Sequence, residues 1–595
     1  MFKLNTFFKQ NFLKFGSLSL LMIYFVLTLI ITLPAIFHIK NYVLGSEYGD
    51  VWHALWTYSR INVCVHEGLN FFYVTDLGYP IGGSLYPPNL FNPLVSVLLQ
   101  GLFNVTTSYN IILILQITLG AFGSYLLVKD LTNDKIASFV SGIIYGYCPF
   151  LIASIYNGLD ELFNTGMIPL TILFLFKSFR EEGYKSTILA AIFLFLTTCF
   201  SWYYGLITGM SAIIFLLFHI VFQKRGITIK LVKKFTIFLL LYSLLISPFV
   251  WKFRNFLMAQ NKVVFADRLT PEDTLRSIDE FFYSDLLQYF QIAPFGVKQI
   301  DLAYSRDVIL VSYLGYIVIF LALIGGSLRV KRKQTIFWIF LAAFFFILSL
   351  GPYLYVNKQK LYLFGHIIPL PYLLFLKRIP FFWTMENPGR FVIITILSLS
   401  VLAGFAISDV LKWFKEKFHF AIGIFVSGAI LLEYLVFSPA PYPILLSSTD
   451  VHSYYNRLSE EKGEFGIIEL PLIHLYFTRG KGFYAQAIHR KKVIHTMSFR
   501  SSVEAILKNA FLKYLVYLNR PNMRILMTTD GEFSSSEEDL KQGLDELRKY
   551  NFKYIVVHDD LFFIRGVSEK THRVLEDHLG RPVDKMGSII VYEVK

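Results

Sequence analysis

The chain has 595 residues, of which 55% are hydrophobic and only 16% are charged, and its mean hydropathy is +0.52. This composition excludes a soluble globular protein and indicates an integral membrane protein. The formal net charge of +14 does not indicate a nucleic-acid partner, because excess Lys and Arg in a membrane protein mark cytoplasmic loops beside anionic lipid headgroups.

Eleven apolar segments predict transmembrane helices. The first segment follows Lys3, Lys9 and Lys14 and is too long for the apolar part of a signal peptide, so it predicts an uncleaved signal anchor. The apolar segment Leu90–Phe103 has only about 14 residues and predicts an interfacial helix instead of a span. In chain order, the predicted spans are Leu18–Ile39, Tyr109–Val128, Ile136–Ile155, Gly166–Phe179, Thr187–Phe200, Tyr203–Val221, Phe235–Trp251, Val308–Leu328, Thr335–Tyr355, Phe391–Val410 and Ala421–Phe437.

The distribution of basic residues between the spans predicts their orientation. Basic loops remain in the cytoplasm, so the N-terminus is predicted to be cytoplasmic. The first outer loop, residues 40–108, and the chain after about Ser438 are then extracytoplasmic. The short basic loops contain Lys129, Lys135, Lys177, Arg180, Lys185, Lys224, Arg225, Lys230, Lys233, Lys234, Arg329, Lys331, Arg332, Lys333, Lys412, Lys415 and Lys417.

The composition changes near the end of the last span and predicts two domains. Residues 1–438 form an α-helical polytopic membrane domain, and residues 439–595 form an extracytoplasmic α/β domain. In the second domain, charges are frequent and the short apolar runs Gly466–Leu470 and Tyr554–Val557 are typical of strands. The segment Ser534–Lys549 begins with a capping sequence and carries leucines on one side, so it predicts an exposed helix.

Familiar motifs of soluble enzymes are absent from the sequence. It contains no Walker A loop, no HExxH, no GxSxG and no glycine fingerprint after a strand, which argues against an ATP-driven pump. The three cysteines are widely separated and form no CxxC metal motif. The candidates that remain are charged residues beside the membrane on its outer face.

Two acids in the first outer loop are the first candidates. Glu47 and Asp50 follow the first span by about ten residues, within reach of a substrate held on a lipid headgroup. Asp50 is placed to act as a general base that takes the proton of an incoming hydroxyl while a sugar–phosphate bond breaks. The alternative is that Asp50 caps the predicted amphipathic helix Val51–Glu67.

Further charged residues follow at the outer ends of later spans. Asp160 and Glu161 are adjacent acids that could hold a metal ion or an acceptor hydroxyl, or could be solvated loop acids. Arg390 directly precedes a span, where its planar guanidinium suits a lipid phosphate. The alternative role for Arg390 is an anchor at the membrane interface.

The order of these segments resembles the bacterial polytopic membrane proteins of the GT-C glycosyltransferase superfamily, in particular YfhO-like proteins. The resemblance covers nearly the whole chain and depends on order and spacing, because each motif is short. It is carried by Asp50, Asp76 to Gly82, Tyr109-Asn110, Gly123 to Leu127, Ser284 to Leu287, Ser349 to Pro352, Pro369 to Tyr372, Pro388 to Phe391, Leu470-Pro471, Gln486 to His489 and Tyr554 to His558.

The resemblance implies a GT-C-like fold and an enzyme of the bacterial cytoplasmic membrane. Such an enzyme transfers a sugar from a polyprenyl-phosphate donor to an extracytoplasmic glycan, lipid or protein acceptor. It assigns catalysis to Asp50 with Glu47 nearby, an acceptor or metal site to Asp160 and Glu161, and lipid-phosphate binding to Arg390. One departure concerns the cofactor. The superfamily's first-loop acids are usually adjacent or separated by one residue, whereas two residues separate Glu47 from Asp50. Metal binding by these two acids departs from the superfamily's pattern, and the need for a divalent metal ion is left open.

Two other functions are compatible with the sequence. A transporter or flippase of a lipid-linked glycan would place charged residues within the spans and repeat its architecture, whereas these spans are nearly free of charge and show no repeat. A non-catalytic accessory protein of cell-envelope assembly would use the outer acids only as helix caps.

Overall fold

A computed structural model gives the structure of the chain. It describes residues 16–70, 72–84, 89–222, 228–258, 270–293, 311–379, 382–472, 474–478, 480–496, 506–519, 536–562 and 565–594. The described chain divides into two compact units. The first unit lies within residues 1–51, 88–250 and 268–447, and the second lies within residues 52–87, 251–267 and 448–595.

The first unit is built almost entirely from helices. Every predicted span overlaps one of them, although the first three residues of the span that was predicted to begin at Val308 lie outside the described residues. The helices are Ser17–Ile31, Phe91–Gln100, Val105–Thr132, Lys135–Gly146, Pro149–Tyr156, Met167–Arg180, Lys185–Phe200, Trp202–Phe222, Ile229–Met258, Pro271–Ser277, Tyr316–Leu328, Lys333–Ser349, Pro371–Arg378, Val392–Val410 and Glu416–Leu432.

By length and composition, five helical segments of the described chain can cross a membrane: Val105–Thr132, Lys135–Tyr156, Trp202–Phe222, Pro388–Trp413 and Glu416–Phe437. Shorter apolar helices accompany them, including Lys185–Phe200 and Lys333–Ser349. The protein is therefore an integral membrane protein. The count of eleven spans and their orientation stay predictions, as do the signal anchor and the interfacial helix. Five of the basic residues used to predict the orientation lie outside the described residues: Lys3, Lys9, Lys14, Lys224 and Arg225.

Small residues bring the central helices of the first unit together. The helix Val392–Val410 is buried along almost its whole length. A side chain added at Gly404 would place its Cβ 2.6 Å from the hydroxyl of Ser141, and one at Gly325 would lie 2.0 Å from the carbonyl oxygen of Leu402. Such close approach of backbones is the usual means of packing in helical membrane proteins.

Short strand pairs and a larger sheet complete the fold. The strands are β1 (Tyr42–Leu44), β2 (Tyr73–Val74), β3 (Gly83–Ser84), β4 (Tyr355–Val356), β5 (Gln359–Lys360), β6 (Tyr362–Leu363), β7 (His366–Ile367), β8 (Leu446–Ser448), β9 (Gly466–Leu470), β10 (Lys492–Val493), β11 (Phe552–His558), β12 (Asp584–Met586) and β13 (Ile589–Glu593). β1 pairs with β8, and the hairpins are β2 with β3, β4 with β5 and β6 with β7. The five-stranded sheet lies in the second unit and has the order β10-β9-β11-β13-β12.

The sheet of the second unit is mixed. β10, β9 and β11 are parallel, whereas β13 is antiparallel to both β11 and β12. The segment 76–79 adjoins its edge, because Val493 N donates to Asp76 O at 2.8 Å and Tyr79 N donates to Val493 O at 3.0 Å. The first outer loop thus contributes to this sheet.

Helices cover both faces of this sheet. Leu540, Leu544 and Leu547 pack with Ile468 and Val557 in one apolar cluster, whereas Tyr455, Trp56 and Phe483 pack with Ile467 and Val556 in the other. The helices of the second unit are Val51–Glu67, Ser453–Glu460, Leu475–Thr478, Lys481–His489, Ala510–Asn519, Glu537–Lys549 and Arg565–Leu579.

Several local predictions for the second unit are confirmed. The predicted strand Gly466–Leu470 has those bounds, and the predicted helix Val51–Glu67 does too. The predicted exposed helix spans Glu537–Lys549 and begins with a capping box formed by Ser536 and Asp539, while residues 534–535 lie outside the described chain. The boundary predicted between residues 438 and 439, and the extracytoplasmic location of residues 439–595, stay predictions.

Candidate active site

Backbone hydrogen bonds hold the start of the first outer loop against the end of the helix Pro149–Tyr156. Ser46 N donates to Tyr156 O at 2.7 Å, and Asp50 N donates to Asn157 O at 2.8 Å. Because these bonds involve the backbone, they fix the path of the loop independently of side-chain rotamers. Asp50 therefore lies beside the turn that carries the next pair of predicted acids.

Two glycines make this close approach feasible. A Cβ on Gly49 would lie 2.5 Å from Asn157 O, and a Cβ on Gly158 would lie 2.4 Å from Val51 N. Gly158 also has a φ of +69°, a conformation that L side chains rarely adopt. Glycine at both positions is thus a geometric requirement of the arrangement that places Asp50.

Polar groups from several helices support the turn that carries Asp160. The carbonyl oxygen of Asp160 accepts hydrogen bonds from Asn164 Nδ2 at 2.7 Å and from Asn92 Nδ2 at 3.2 Å. The hydroxyl of Tyr204 donates to Leu162 O at 2.6 Å. Asp160 itself is only 6% exposed, so it is not a solvated loop acid.

Arg390 faces this turn from another helix. It lies in the 3-10 turn Pro388–Phe391, which leads directly into the helix Val392–Val410. Its guanidinium carbon lies 4.0 Å above the ring centre of Tyr203, and Nη2 lies 3.6 Å from Oε1 of Glu161. The side chains of Arg390 and Glu161 are 12% and 13% exposed. Stacking on one side and an ion pair on the other fix the orientation of the guanidinium.

The electrostatics of the site connect the first outer loop with this ion pair. Burial raises the pKa of Glu161 above its ordinary value, and the negative charge of Asp50 raises it further. The guanidinium of Arg390 opposes both effects on that pKa. Asp50, Glu161 and Arg390 therefore form one half-buried electrostatic cluster.

The structure brings four of the five predicted site residues together. Asp50, Asp160, Glu161 and Arg390 meet at this cluster, although they come from three distant parts of the sequence. Glu47 lies in the same loop as Asp50, but it is exposed.

Tyr203 was missed by the sequence analysis. An aromatic residue in an apolar segment usually indicates packing, and nothing in its neighbourhood points to Arg390. The available signal was the run Trp202-Tyr203-Tyr204 at the end of a predicted span, a position where aromatic residues commonly mark the membrane interface.

Two solved structures share the architecture of this chain. One is the archaeal oligosaccharyltransferase AglB from Archaeoglobus fulgidus, solved in complex with an inhibitory peptide and a dolichol-phosphate. It is 13% identical to this chain with a TM-score of 0.54, and the match covers 92% of this chain and 70% of AglB. The arabinofuranosyltransferase AftD from Mycobacteria is 12% identical with a TM-score of 0.54, covering 97% of this chain and 40% of AftD. The chain has a GT-C fold. The fold expected from the resemblance is confirmed, and the closer relationship to YfhO-like proteins stays a prediction.

Sequence comparison adds a match to part of the chain. A family model described as a 6-pyruvoyl-tetrahydropterin synthase related domain, membrane protein, matches residues 86–283. This region contains Asp160, Glu161 and Tyr203, but it is only about a third of the chain and does not define the family of the whole protein. No curated protein matches the sequence.

Within the described residues, the acids of this cluster do not belong to a group of three metal-ligating side chains. In that part of the chain, no group of three His, Cys, Asp or Glu side chains has a geometry that could hold a metal ion. Glu161 is instead paired with Arg390, and the Asp160 carbonyl is bonded to two amides. The arrangement provides the carboxylate of Asp50 and a half-buried ion pair whose cation is stacked on Tyr203.

Proposed function

We propose that the chain is a membrane glycosyltransferase that moves a sugar from a polyprenyl-phosphate donor to an extracytoplasmic acceptor, with Asp50 as general base. The observation that carries this proposal is the cluster of Asp50, Glu161 and Arg390 on a GT-C fold. A base and a buried, oriented cation at one site are what the transfer of a sugar from a phosphate requires. AglB, which has the same fold, binds dolichol-phosphate, and this supports the class of donor.

The proposed reaction is a single displacement at the anomeric carbon. Asp50 takes the proton of the acceptor hydroxyl, and the acceptor oxygen forms a bond to that carbon. The bond between the carbon and the phosphate oxygen breaks at the same time, and its electron pair leaves with polyprenyl phosphate. The configuration of the anomeric carbon is inverted. The donor bond supplies the energy, so no nucleotide is consumed.

Arg390 is proposed to bind the departing phosphate. Its guanidinium presents two donors that match two phosphate oxygens, and its position over Tyr203 fixes their direction. In the absence of donor, Glu161 balances this buried charge at 3.6 Å. Glu161 therefore acts as a positioning residue, because its carboxylate keeps the guanidinium directed toward the site.

Asp160 is proposed to place the acceptor. Its backbone carbonyl is committed to Asn92 and Asn164, which fixes the turn, while its carboxyl group lies next to Glu161 in the chain. The proposed acceptor is a hydroxyl of a glycan, a lipid or a protein. The predicted orientation places this site beside the membrane lipids on the extracytoplasmic side.

The experiment compares variants in a strain from which the gene has been deleted. We expect Asp50→Asn and Arg390→Gln to insert into the membrane normally but to leave the surface glycans in the deletion profile. Glu182→Gln is the matched control, because Glu182 is an exposed carboxylate with a side chain 92% exposed. A wild-type glycan profile with Asp50→Asn would remove Asp50 as the base and favour the accessory role.

A further inference from the structure

The second unit contains an open polar pocket beside the edge of its sheet. The pocket has a volume of about 420 Å³ and lies next to β10, between the turn that precedes β9 and the turn that follows the helix Lys481–His489. None of its residues takes part in the proposed transfer chemistry. Its lining includes the side chains of Asp76, Ser459, Glu464, His489, Arg490 and Lys492.

The charges that line this pocket are already arranged in pairs. Lys492 Nζ lies 3.0 Å from a carboxylate oxygen of Glu464. Arg490 Nη1 lies 3.0 Å from Glu67, and Asp76 lies 2.5 Å from Arg60 Nη1. A multiply charged anion would have to compete with a carboxylate at each of these cations. The pairing therefore disfavours a phosphate or sulfate as the ligand.

The lining includes a further cation that is bound to the backbone. Lys491 is only 8% exposed, and its ammonium donates to the carbonyl oxygens of Gly463, at 3.2 Å, and Glu461. Its position over the ring of Phe465, 4.5 Å from the centre, holds it there. Lys491 thus shapes the wall of the pocket without offering a free charge to a ligand.

A neutral polyol, such as a sugar, has hydroxyl groups that can hydrogen-bond to both members of a charged pair. A carboxylate only accepts hydrogen bonds and an ammonium or guanidinium only donates them, whereas a hydroxyl does both. A ligand hydroxyl can therefore bridge Glu464 and Lys492, which both line the pocket, without leaving either charge unpaired. The volume lies within the range of small-molecule sites, about 300–1,000 Å³.

A buried histidine forms another part of the wall. His489 is 1% exposed, its Nδ1 accepts a hydrogen bond from Lys491 N at 3.0 Å, and its ring is stacked against Tyr455. Within the described part of the chain, its Nε2 has no hydrogen-bond partner. This atom is also shut off from solvent, so His489 shapes the wall of the pocket and does not offer its Nε2 to a ligand.

We infer that this pocket binds a neutral carbohydrate through its paired charges. The further assignment, that the bound sugar belongs to the acceptor glycan, rests on the proposed function. Binding itself does not rest on it, because the lining lies apart in sequence from Asp50, Glu161 and Arg390.

The test is saturation-transfer difference NMR with the full chain in detergent micelles. The probes are methyl α-D-glucopyranoside, methyl α-D-mannopyranoside and methyl α-D-arabinofuranoside. We expect transfer to at least one of them. Ser459→Trp fills the pocket from an exposed helical position, and Glu464→Ala removes half of one pair at an exposed side chain. Each should weaken binding about tenfold, which corresponds to about 1.4 kcal/mol.

The matched control is Arg548→Ala, which removes an exposed ion pair with Asp545 on the helix Glu537–Lys549 and should leave sugar binding unchanged. The inference is overturned if none of the three sugars receives saturation, or if Ser459→Trp leaves the signal as strong as in the wild type. Displacement of the sugar by inorganic phosphate would identify an anion site and overturn it as well.

The same variants separate this inference from the proposed function. Asp50→Asn should abolish transfer and leave the NMR signal intact, whereas Ser459→Trp should lower the signal. If Asp50→Asn retains transfer while Ser459→Trp still weakens sugar binding, the catalytic proposal fails and the carbohydrate site stands.

Discussion

Replacement of Gly158 by alanine should separate the two halves of the candidate active site. The new Cβ would lie 2.4 Å from Val51 N and 2.7 Å from Val51 Cα, both backbone atoms that cannot rotate away. The φ of +69° adds a conformational cost of about 1–2 kcal/mol, and overpacking adds about 1–3 kcal/mol. Together these exceed the strength of the few hydrogen bonds that hold the loop, so we expect Asp50 to move away from Glu161.

The assay measures both activity and stability of the purified variant. Displacement of a catalytic group by about 1 Å costs on the order of 100-fold in rate, and we expect at least that loss of sugar transfer. Gly49→Ala should act in the same way without the φ cost, because its Cβ would lie 2.5 Å from Asn157 O.

Two other glycines supply matched controls. Gly68 has nearly the same φ, +68°, but no described atom within 4 Å of its Cβ position, so Gly68→Ala should lower stability slightly and leave transfer intact. Gly183→Ala meets neither cost and should be neutral. Transfer by Gly158→Ala within threefold of the wild type would refute the role assigned to this contact.

Three further predictions concern other contacts. Tyr203→Leu should lower sugar transfer about 30-fold, because it removes about 2 kcal/mol of cation–π stacking with Arg390 at 4.0 Å. Tyr203→Phe keeps an aromatic ring and should retain most of the transfer activity. Equal losses of activity in the two variants would contradict a stacking role. Burial lowers the pKa of His489 to about 4, so the folded state keeps this ring neutral while the unfolded chain takes up a proton near pH 6.5. The free energy of unfolding therefore has its full value above about pH 6.5 and falls by up to about 3 kcal/mol as the pH drops to 4. His489→Phe should weaken this pH dependence in thermal melts. A melting temperature of the wild type that is constant from pH 7.5 to 5 would contradict the prediction. Arg329→Met should lower the free energy of unfolding by about 3 kcal/mol, because Arg329 is 8% exposed and paired with Asp409 at 2.5 Å. In the described chain, Lys412 would then be the only cation paired with the Asp409 carboxylate. An unchanged melting temperature would show that the pair of Arg329 and Asp409 adds nothing to stability.

The sequence was most informative about local structure. The strand Gly466–Leu470 was predicted with correct bounds, because it is a short apolar run that ends at a proline. The span predicted at Thr187–Phe200 corresponds to the helix Lys185–Phe200, since its apolar run ends at the polar Ser201. The break within Lys135–Tyr156 was missed, although Pro149, at the first turn of the second helix, was a visible signal.

Contacts between distant segments were harder to predict. The helix Val51–Glu67 belongs to the second unit, where Trp56 Nε1 donates to Gln486 Oε1 at 2.6 Å across more than 400 residues. Local periodicity contains no information on such a partner. For the same reason, the sequence named Glu161 and Arg390 separately but could not show that they form an ion pair.

The most direct test of the account is release of the lipid carrier by the purified chain in lipid nanodiscs. The chain is incubated with polyprenyl-phosphate sugars and an acceptor-containing membrane extract, and free polyprenyl phosphate is measured. The account predicts that the wild type releases polyprenyl phosphate from at least one donor and that Asp50→Asn, folded and inserted, releases none above background. Equal release by the wild type and Asp50→Asn would contradict the central claim that Asp50 is the catalytic base.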